Sequence, residues 1–263
     1  MAAPRDLLAA FDAQRGRLRS PLPAGVEVTR DGPLLRTAGR PRGGFVEYRD
    51  LAGLEGAALD RLIDRQVRYF AARGERFEWK LYGHDLPRDL PERLRAAGFA
   101  AEPEEAVAIA AVGAIAAEPR PPVGVTLRDV SSQADLARIA ELESRVWGED
   151  HAWLAEQLGA DLALDPDALR VVVAEAAGEL VSAAWTRLGR DTPFASLNGG
   201  ATLPAWRGRG IYRALVVQRA GVAAARGYRY LQVDASDDSA PILARLGFEL
   251  VGATTPFIWS PPA

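Results

Sequence analysis

The chain has 263 residues, enough for one large domain or two modest ones that each bury a core. Its formal net charge is -3 with both signs spread along the chain, and the absence of a basic tail or stripe argues against nucleic acid as a partner. There is no cysteine, which removes disulfides, thiolate metal sites and thiol nucleophiles, and the two histidines, His84 and His151, are too few for a multi-histidine metal site.

The opening stretch MAAPRDLLAAFDAQRG lacks the basic-then-apolar layout of a signal peptide. Further on, Ala71-Ala72-Arg73-Gly74 closes a helical stretch. A strand at Arg76–Leu81, a helix and then Ala97-Gly98-Phe99 follow. The nearly apolar run Ala106–Ala117 is well short of the roughly 20 residues that a membrane span needs. A soluble, cytoplasmic protein with no membrane partner is therefore expected, as monomer or homodimer. Glu118-Pro119-Arg120-Pro121-Pro122-Val123-Gly124 reads as a linker, because three prolines and a glycine cannot sit inside a helix or a central strand.

Beyond the linker, Val125–Asp129 reads as a strand, and Ser132 with Asp135 opens a helix striped by Leu136, Ile139, Leu142 and Val146. A second helix is expected around Ala152–Leu158. Strands follow at Leu169–Glu175, Glu179–Leu188 and Phe194–Thr202, where Pro204 stops the last. Gly210–Arg226 is a long helix with Ile211, Ala214, Leu215 and Val222 on one face. It ends in Ala224-Ala225-Arg226-Gly227, and a strand at Tyr230–Val233, a short helix and Leu246-Gly247-Phe248 come next. Both halves thus run helix, Gly, strand, helix, Gly-Phe, with Gly-to-Gly spacings of 24 and 20 residues. This order predicts an internal duplication, with residues 1–118 and 125–263 as its copies, and an α/β fold with helices packed on a sheet.

The sharpest local feature is Trp206-Arg207-Gly208-Arg209-Gly210-Ile211-Tyr212. A strand ends, a glycine-bearing turn follows and a helix begins. First-turn amides have no partners within their helix and sit at the positive end of its dipole, while glycines let a bulky anion approach the backbone. Such a turn suits a pyrophosphate, and equally reads as an Arg/Gly surface turn. It is neither a P-loop nor a dinucleotide fingerprint.

With this context the second half resembles the GNAT superfamily of N-acetyltransferases, over roughly residues 125–259. The family signature Gln/Arg-x-x-Gly-x-Gly/Ala is met by Arg207 and Gly210 and then departs at Tyr212, where a small residue is usual. A closing Leu246-Gly247-Phe248 also matches, and Thr202 stands where the family has an apolar residue two before the proline. The resemblance implies two GNAT-like folds in tandem, each a mixed central sheet flanked by helices. It implies acetyl-CoA as co-substrate, its pyrophosphate on the amides of Arg207, Gly208, Arg209, Gly210, Ile211 and Tyr212. Its pantetheine arm would pair with the backbone of Ala201 and Thr202. In the first half the matching place holds Leu54-Glu55-Gly56-Ala57, acidic instead of cationic, which marks a degenerate copy without cofactor.

The resemblance also implies a bulge in the strand before the cradle, and Leu197-Asn198-Gly199-Gly200-Ala201 suits one. The family's acid, a tyrosine four residues before the Gly-Phe glycine, falls on Leu243 and is missing. A thiol with a pKa near 8.5 can leave without full protonation. Ser236 and Ser239 are candidates for contacts to CoA or for carrying a proton. The family's helix-start asparagine falls on Ser236 or Asp237, depending on the gap, and capping by Ser236 is an equal reading. Candidate bases are Glu143, Glu141, Asp150, His151 and Asp234, each of which also reads as an ordinary solvated or capping residue, while Asn198 is placed to hold a water. Trp147, Trp153 and Trp185 either line an acceptor pocket or belong to the core. His84 reads as structural. The leading function is acetyl transfer from acetyl-CoA to a primary amine of a small molecule. Alternatives are acylation of a protein or peptide and a non-catalytic CoA-binding sensor.

Overall fold

The computed structural model describes residues 4–17 and 22–262. The first half contains helix α1 (Pro4–Asp12) and strands β1 (Glu27–Asp31), β2 (Leu34–Ala38) and β3 (Gly44–Glu47). Helix α2 (Gly56–Ala71), strand β4 (Phe77–Tyr82), helix α3 (Leu90–Ala96), and strands β5 (Ala100–Ala101) and β6 (Glu105–Ala111) follow. The apolar run 106–117 therefore divides into β6 and a single-turn helix, α4 (Val112–Ile115). The second half contains β7 (Val125–Val130), α5 (Gln133–Trp147), α6 (Trp153–Leu164), β8 (Leu169–Ala176), β9 (Glu179–Leu188) and β10 (Phe194–Thr202). A short 3₁₀ turn at Pro204–Trp206 leads to α7 (Ile211–Ala225), β11 (Tyr230–Ala235), α8 (Ala240–Leu246) and β12 (Glu249–Trp259).

The chain packs as two compact units whose boundary does not fall at the proline-rich linker. One comprises Ala108–Glu249, and the other the described residues up to Val107 together with those from Leu250 on. The last strand thus packs with the first half of the sequence. Its residues Thr254–Trp259 pair antiparallel with Tyr82–Phe77 of β4, and Phe257 and Ile258 pair with β5. The reason is aromatic packing: Phe257 and Trp259 are buried with Phe70, Phe77, Trp79 and Phe99. The rings of Phe70 and Phe77 stack at 4.1 Å, and Phe99 meets Phe77 edge-on at 5.1 Å.

Each unit repeats one sheet plan. In the first, β1, β2 and β3 are antiparallel neighbours, β3 runs parallel to β4, and β4 is antiparallel to β12. In the second, β7, β8, β9 and β10 are antiparallel neighbours and β10 runs parallel to β11. The parallel pairing is brief in both: Gly44–Val46 with Phe77–Trp79, and Phe194–Ser196 with Tyr230–Gln232. A helix, α2 or α7, makes each crossover, as parallel strands require. Gly74 and Gly227 follow these helices and Gly98 and Gly247 follow α3 and α8, so the repeated landmarks occupy matching places.

In the second unit Ser132 Oγ accepts from the Asp135 amide at 3.1 Å, capping α5, and Leu136, Ile139 and Leu142 are buried beneath it. Helix α6 runs past Leu158 to Leu164, because Leu162 also packs on the core. Strand β11 continues through Asp234, because Ala235 is buried. Among the described residues no helix is long and apolar enough to cross a membrane, and no cluster of three metal-ligating side chains occurs.

Replacing Phe257 by alanine should cost about 3–5 kcal/mol. Native-state hydrogen exchange should then show the amides of β4 losing protection while those of α7 keep theirs. Equal loss in both helix and strand would contradict the assignment of β12 to the first unit.

Candidate active site

Strands β10 and β11 separate after Ser196 and Gln232, where their ladder ends. The register of β10 against β9 shifts between Gly199 and Ala201, which makes Gly200 a bulge. Both glycines are required there: φ is 66° at Gly199 and 108° at Gly200, and a Cβ on Gly199 would stand 2.4 Å from the Trp185 ring. Under this bulge lies Arg219 of α7, only 2% exposed. Its guanidinium donates to the carbonyls of Asn198 at 3.0 Å, Trp185 at 3.3 Å and Leu215 at 3.1 Å. Burial pulls its pKa down to about 10, with the nearby Tyr212 opposing that shift. Its Nη2 and the Asn198 Oδ1 are buried without hydrogen-bond partners among the described residues.

The turn after β10 forms the candidate cradle. Gly208 and Gly210 have φ of 72° and 86°, and a Cβ on either would meet nothing within 4 Å. Gly210 caps α7 without a side-chain bond, and the helix ladder starts with Ala214 N–H donating to the Gly210 carbonyl at 3.0 Å. The preceding first-turn amides therefore have no partner within the helix. Arg207 folds back on the strand, its Nε donating to the Thr202 carbonyl at 3.1 Å, and Arg209 lies over the Trp206 ring at 4.7 Å. The Ala201 carbonyl accepts from Ser182 Oγ at 2.7 Å. Ala201 and Thr202 are buried and paired with Ala183 and Ser182 of β9. A ring of open backbone around two glycines fits a bulky phosphate group.

Tyr212 points from the first turn of α7 across the bulge: a Cβ on Gly200 would stand 2.6 Å from its ring. Burial holds the pKa of its hydroxyl above the usual tyrosine value, against the pull of Arg219 and Ser239. Ser239 Oγ lies 3.2 Å from the exposed Ser236 Oγ. Ser236 starts α8 with its carbonyl, which accepts from the Ala240 amide at 2.9 Å, and not with its hydroxyl. On β11, Gln232 Nε2 donates to Asp234 Oδ1 at 2.8 Å. Leu243 is fully buried.

Glu143 belongs to a second cluster on α5, a helix that packs on β9 and β10. It is 4% exposed, its Oε2 accepts from Trp147 Nε1 at 2.7 Å, and its Oε1 is buried without a partner among the described residues. Burial holds its carboxyl above the usual range, while Trp147 and His151 pull it down. Trp147 itself is 56% exposed. The other candidate bases have ordinary surroundings: Glu141 is exposed, Asp150 accepts from the Ala152 amide, and His151 Nδ1 lies 3.0 Å from the Glu149 carbonyl. Trp153 and Trp185 pack on the core.

In the first unit, β3 and β4 part in the same way, but the notch is filled. Arg15 places its guanidinium 3.9 Å from the Tyr82 ring and 5.4 Å from that of Tyr48. It is ion-paired with Asp85 at 2.8 Å and Asp12 at 3.3 Å. Tyr48 Oη donates to Asp85 at 2.6 Å, and His84 Nε2 lies 3.0 Å from Asp12. Gly16 is pressed against the backbone of Tyr48 and Arg49. His84 is thus part of a structural network. At the start of α2, Glu55 is the cap and makes no side-chain bond.

Residues 136–248 match the model of the acetyltransferase (GNAT) family. A GCN5-related N-acetyltransferase from Kribbella flavida superposes with a TM-score of 0.66 at 17% identity, over 99% of this chain and 95% of that one. A tandem GNAT protein from the clavulanic acid biosynthesis pathway superposes with a TM-score of 0.63 at 16% identity, over 98% and 94%. These likenesses show the fold, two GNAT folds in tandem. An uncharacterized protein of Mycobacterium leprae (strain TN) is 37% identical over 122 residues, 45% of this chain and 33% of that protein. The chain thus spans about a third of the length of this curated relative.

The raised pKa of Glu143 has a sign. Its neutral form favours the folded state, so that contribution is complete below the unfolded value of about 4.3 and is lost as pH rises through the folded value. Glu143→Gln should therefore gain stability relative to the parent chain as pH rises above about 4.3 in denaturant titrations. A difference that stays constant as pH rises would contradict the assignment.

Proposed function

We propose that the second unit transfers an acetyl group from acetyl-CoA to the primary amine of a small molecule. The observation that carries this is the open turn Arg207–Tyr212 at the head of α7, set beside the gap where β10 and β11 part. Acetyl-CoA would supply an activated acyl thioester, and the amides from Gly208 to Tyr212 would hold its phosphates at the positive helix end. Arg207 braces this turn on the end of β10. Glu143, a buried carboxylate with a raised pKa and an unfilled oxygen, is the base that takes the proton from the acceptor ammonium. Asn198, Gln232 and Asp234 edge the gap and orient the reacting groups or a water between them.

The first unit binds no acyl-CoA in this reading. Its notch is taken by Arg15, and Glu55 at the head of α2 repels an anion. Calorimetric titration with CoA should give one equivalent per chain, and two equivalents would contradict this. Gly210→Asp should abolish that binding, because it puts a carboxylate where the phosphates belong. Gly210→Asn imposes a similar left-handed strain without the charge and should keep most of it. Equal affinities in the two variants would overturn the cradle.

A further inference from the structure

Glu143 and Trp147 stand one turn apart on α5, the spacing that sets two side chains on one helix face. Trp147 is the last residue of that helix. Gly148 stops it there with φ 75°, and the Gly148 amide donates to the Ser144 carbonyl at 2.9 Å. The indole thus lies half-exposed at a helix end, while its Nε1 reaches back to Glu143 Oε2 at 2.7 Å. Glu143 is buried, and this is the one hydrogen bond to its carboxylate among the described residues. A buried oxygen left without a partner is costly, and Oε1 is such an oxygen. Most charges on the surrounding elements are engaged elsewhere. Arg138 pairs with Glu175 of β8 at 3.0 Å, Arg145 with Glu179 of β9 at 3.3 Å, and Arg187 of β9 with Asp161 of α6 at 2.7 Å. Glu141, Glu149, Asp150 and Glu156 are exposed, and β10 carries no charged residue. His151 is held close, because its amide donates to Ser144 Oγ at 2.9 Å.

We propose that Trp147 is the positioning residue for Glu143, holding Oε2 so that Oε1 alone receives the proton of the acceptor ammonium. The assignment rests on the acyl-transfer reading of this unit, with Glu143 as base. An indole N–H donates and cannot accept, so its bond to Oε2 is kept only while that oxygen carries no proton. The incoming proton therefore goes to Oε1, the oxygen without a partner. One N–H bond of the ammonium breaks, its electron pair stays on nitrogen, and the proton forms an O–H bond at Oε1. The nitrogen pair is then free to attack the thioester carbonyl carbon. Trp147 also decides whether Glu143 is a base at all. Burial favours the neutral carboxyl, which can take no proton, whereas the hydrogen bond from Trp147 favours the charged form and the charge of His151 adds to it.

The test compares the full chain with Trp147→Phe, which keeps an aromatic ring at an exposed position and removes the donor. The Glu143 carboxyl is followed by carbon-13 NMR, assigned by the signal that Glu143→Gln lacks. Thiol release from acetyl-CoA with a panel of primary amines is followed as a function of pH. In the variant the carboxyl titration should move to higher pH. The acid limb of kcat/KM should move with it, so that activity on that limb falls by ~10-fold or more and returns to the parent value as pH is raised. An unmoved titration overturns the proposal. So does a loss of activity that is equal at every pH, which is what a merely structural role gives. Should Trp147→Phe fail to fold, the parent chain carries the test: the indole Nε1–H resonance of Trp147 should titrate with the midpoint of the Glu143 carboxyl, and an indole resonance that ignores it overturns the proposal. A parent chain that binds no CoA and releases no thiol overturns the acyl-transfer reading itself, whatever the carboxyl titration shows, so the two failures are distinguishable.

Discussion

A single buried guanidinium organises the candidate site. Arg219 is held 2% exposed beneath the point where β10 leaves β11, bonded to the carbonyls of Asn198 and Trp185. Taking such a charge out of water costs several kcal/mol unless its donors are satisfied. The carbonyls it uses lie on adjacent strands, so it fastens β9 to β10 at the bulge. The rest follows from that anchor. Gly199 and Gly200 bend the strand around Trp185 and Tyr212, β10 ends at Thr202 away from β11, and Arg207 ties the following turn back to that end. The head of α7 then stands beside the gap with its amides open.

The two halves show one notch finished in two ways. In the first unit, Arg15 enters from the N-terminal segment with its charge answered by Asp85 and Asp12 and its faces covered by tyrosines. That arrangement is a filled core, with little field left over. In the second unit, Arg219 has carbonyls and no carboxylate, and a phenol within its field. An answered charge stabilises one packing, whereas an unanswered one lowers the energy of anions formed beside it. The two notches differ chiefly in the counter-charged plug that Arg15 brings to one and the open glycine turn beside the other.

Much of this was legible in the sequence. The glycine-ended helices marked the repeated plan of the two units, Ser132 and Asp135 placed the start of α5, and paired glycines marked the bulge at 199–200. Arg207–Tyr212 marked the head of α7. Chain order concealed where β12 packs, because strand exchange depends on the aromatic faces of Phe257 and Trp259 and not on any linker signal. Arg219 was missed although it had a signal: it falls on the stripe of Ile211 and Leu215, at a position where an apolar residue belongs. Gln232 shares a strand face with Asp234 and carried the same kind of signal. The reach of the N-terminal segment into the first notch was not legible, because Arg15 and its partners Tyr48, Tyr82 and Asp85 are far apart in the chain. The expected role of Ser236 as a side-chain cap gave way to its carbonyl, since Ser239 and not Ser236 precedes α8.

The central claim is that the head of α7 is the phosphate seat of a proposed acyl-CoA enzyme. Amide-resolved NMR of the full chain, titrated with CoA, tests it most directly. The amides of Gly208 to Tyr212 should shift together and saturate as one site, with the amides of Tyr48 and Tyr82 in the first notch unmoved. Saturable shifts centred on the first notch, with Gly208 to Tyr212 silent, would contradict the account.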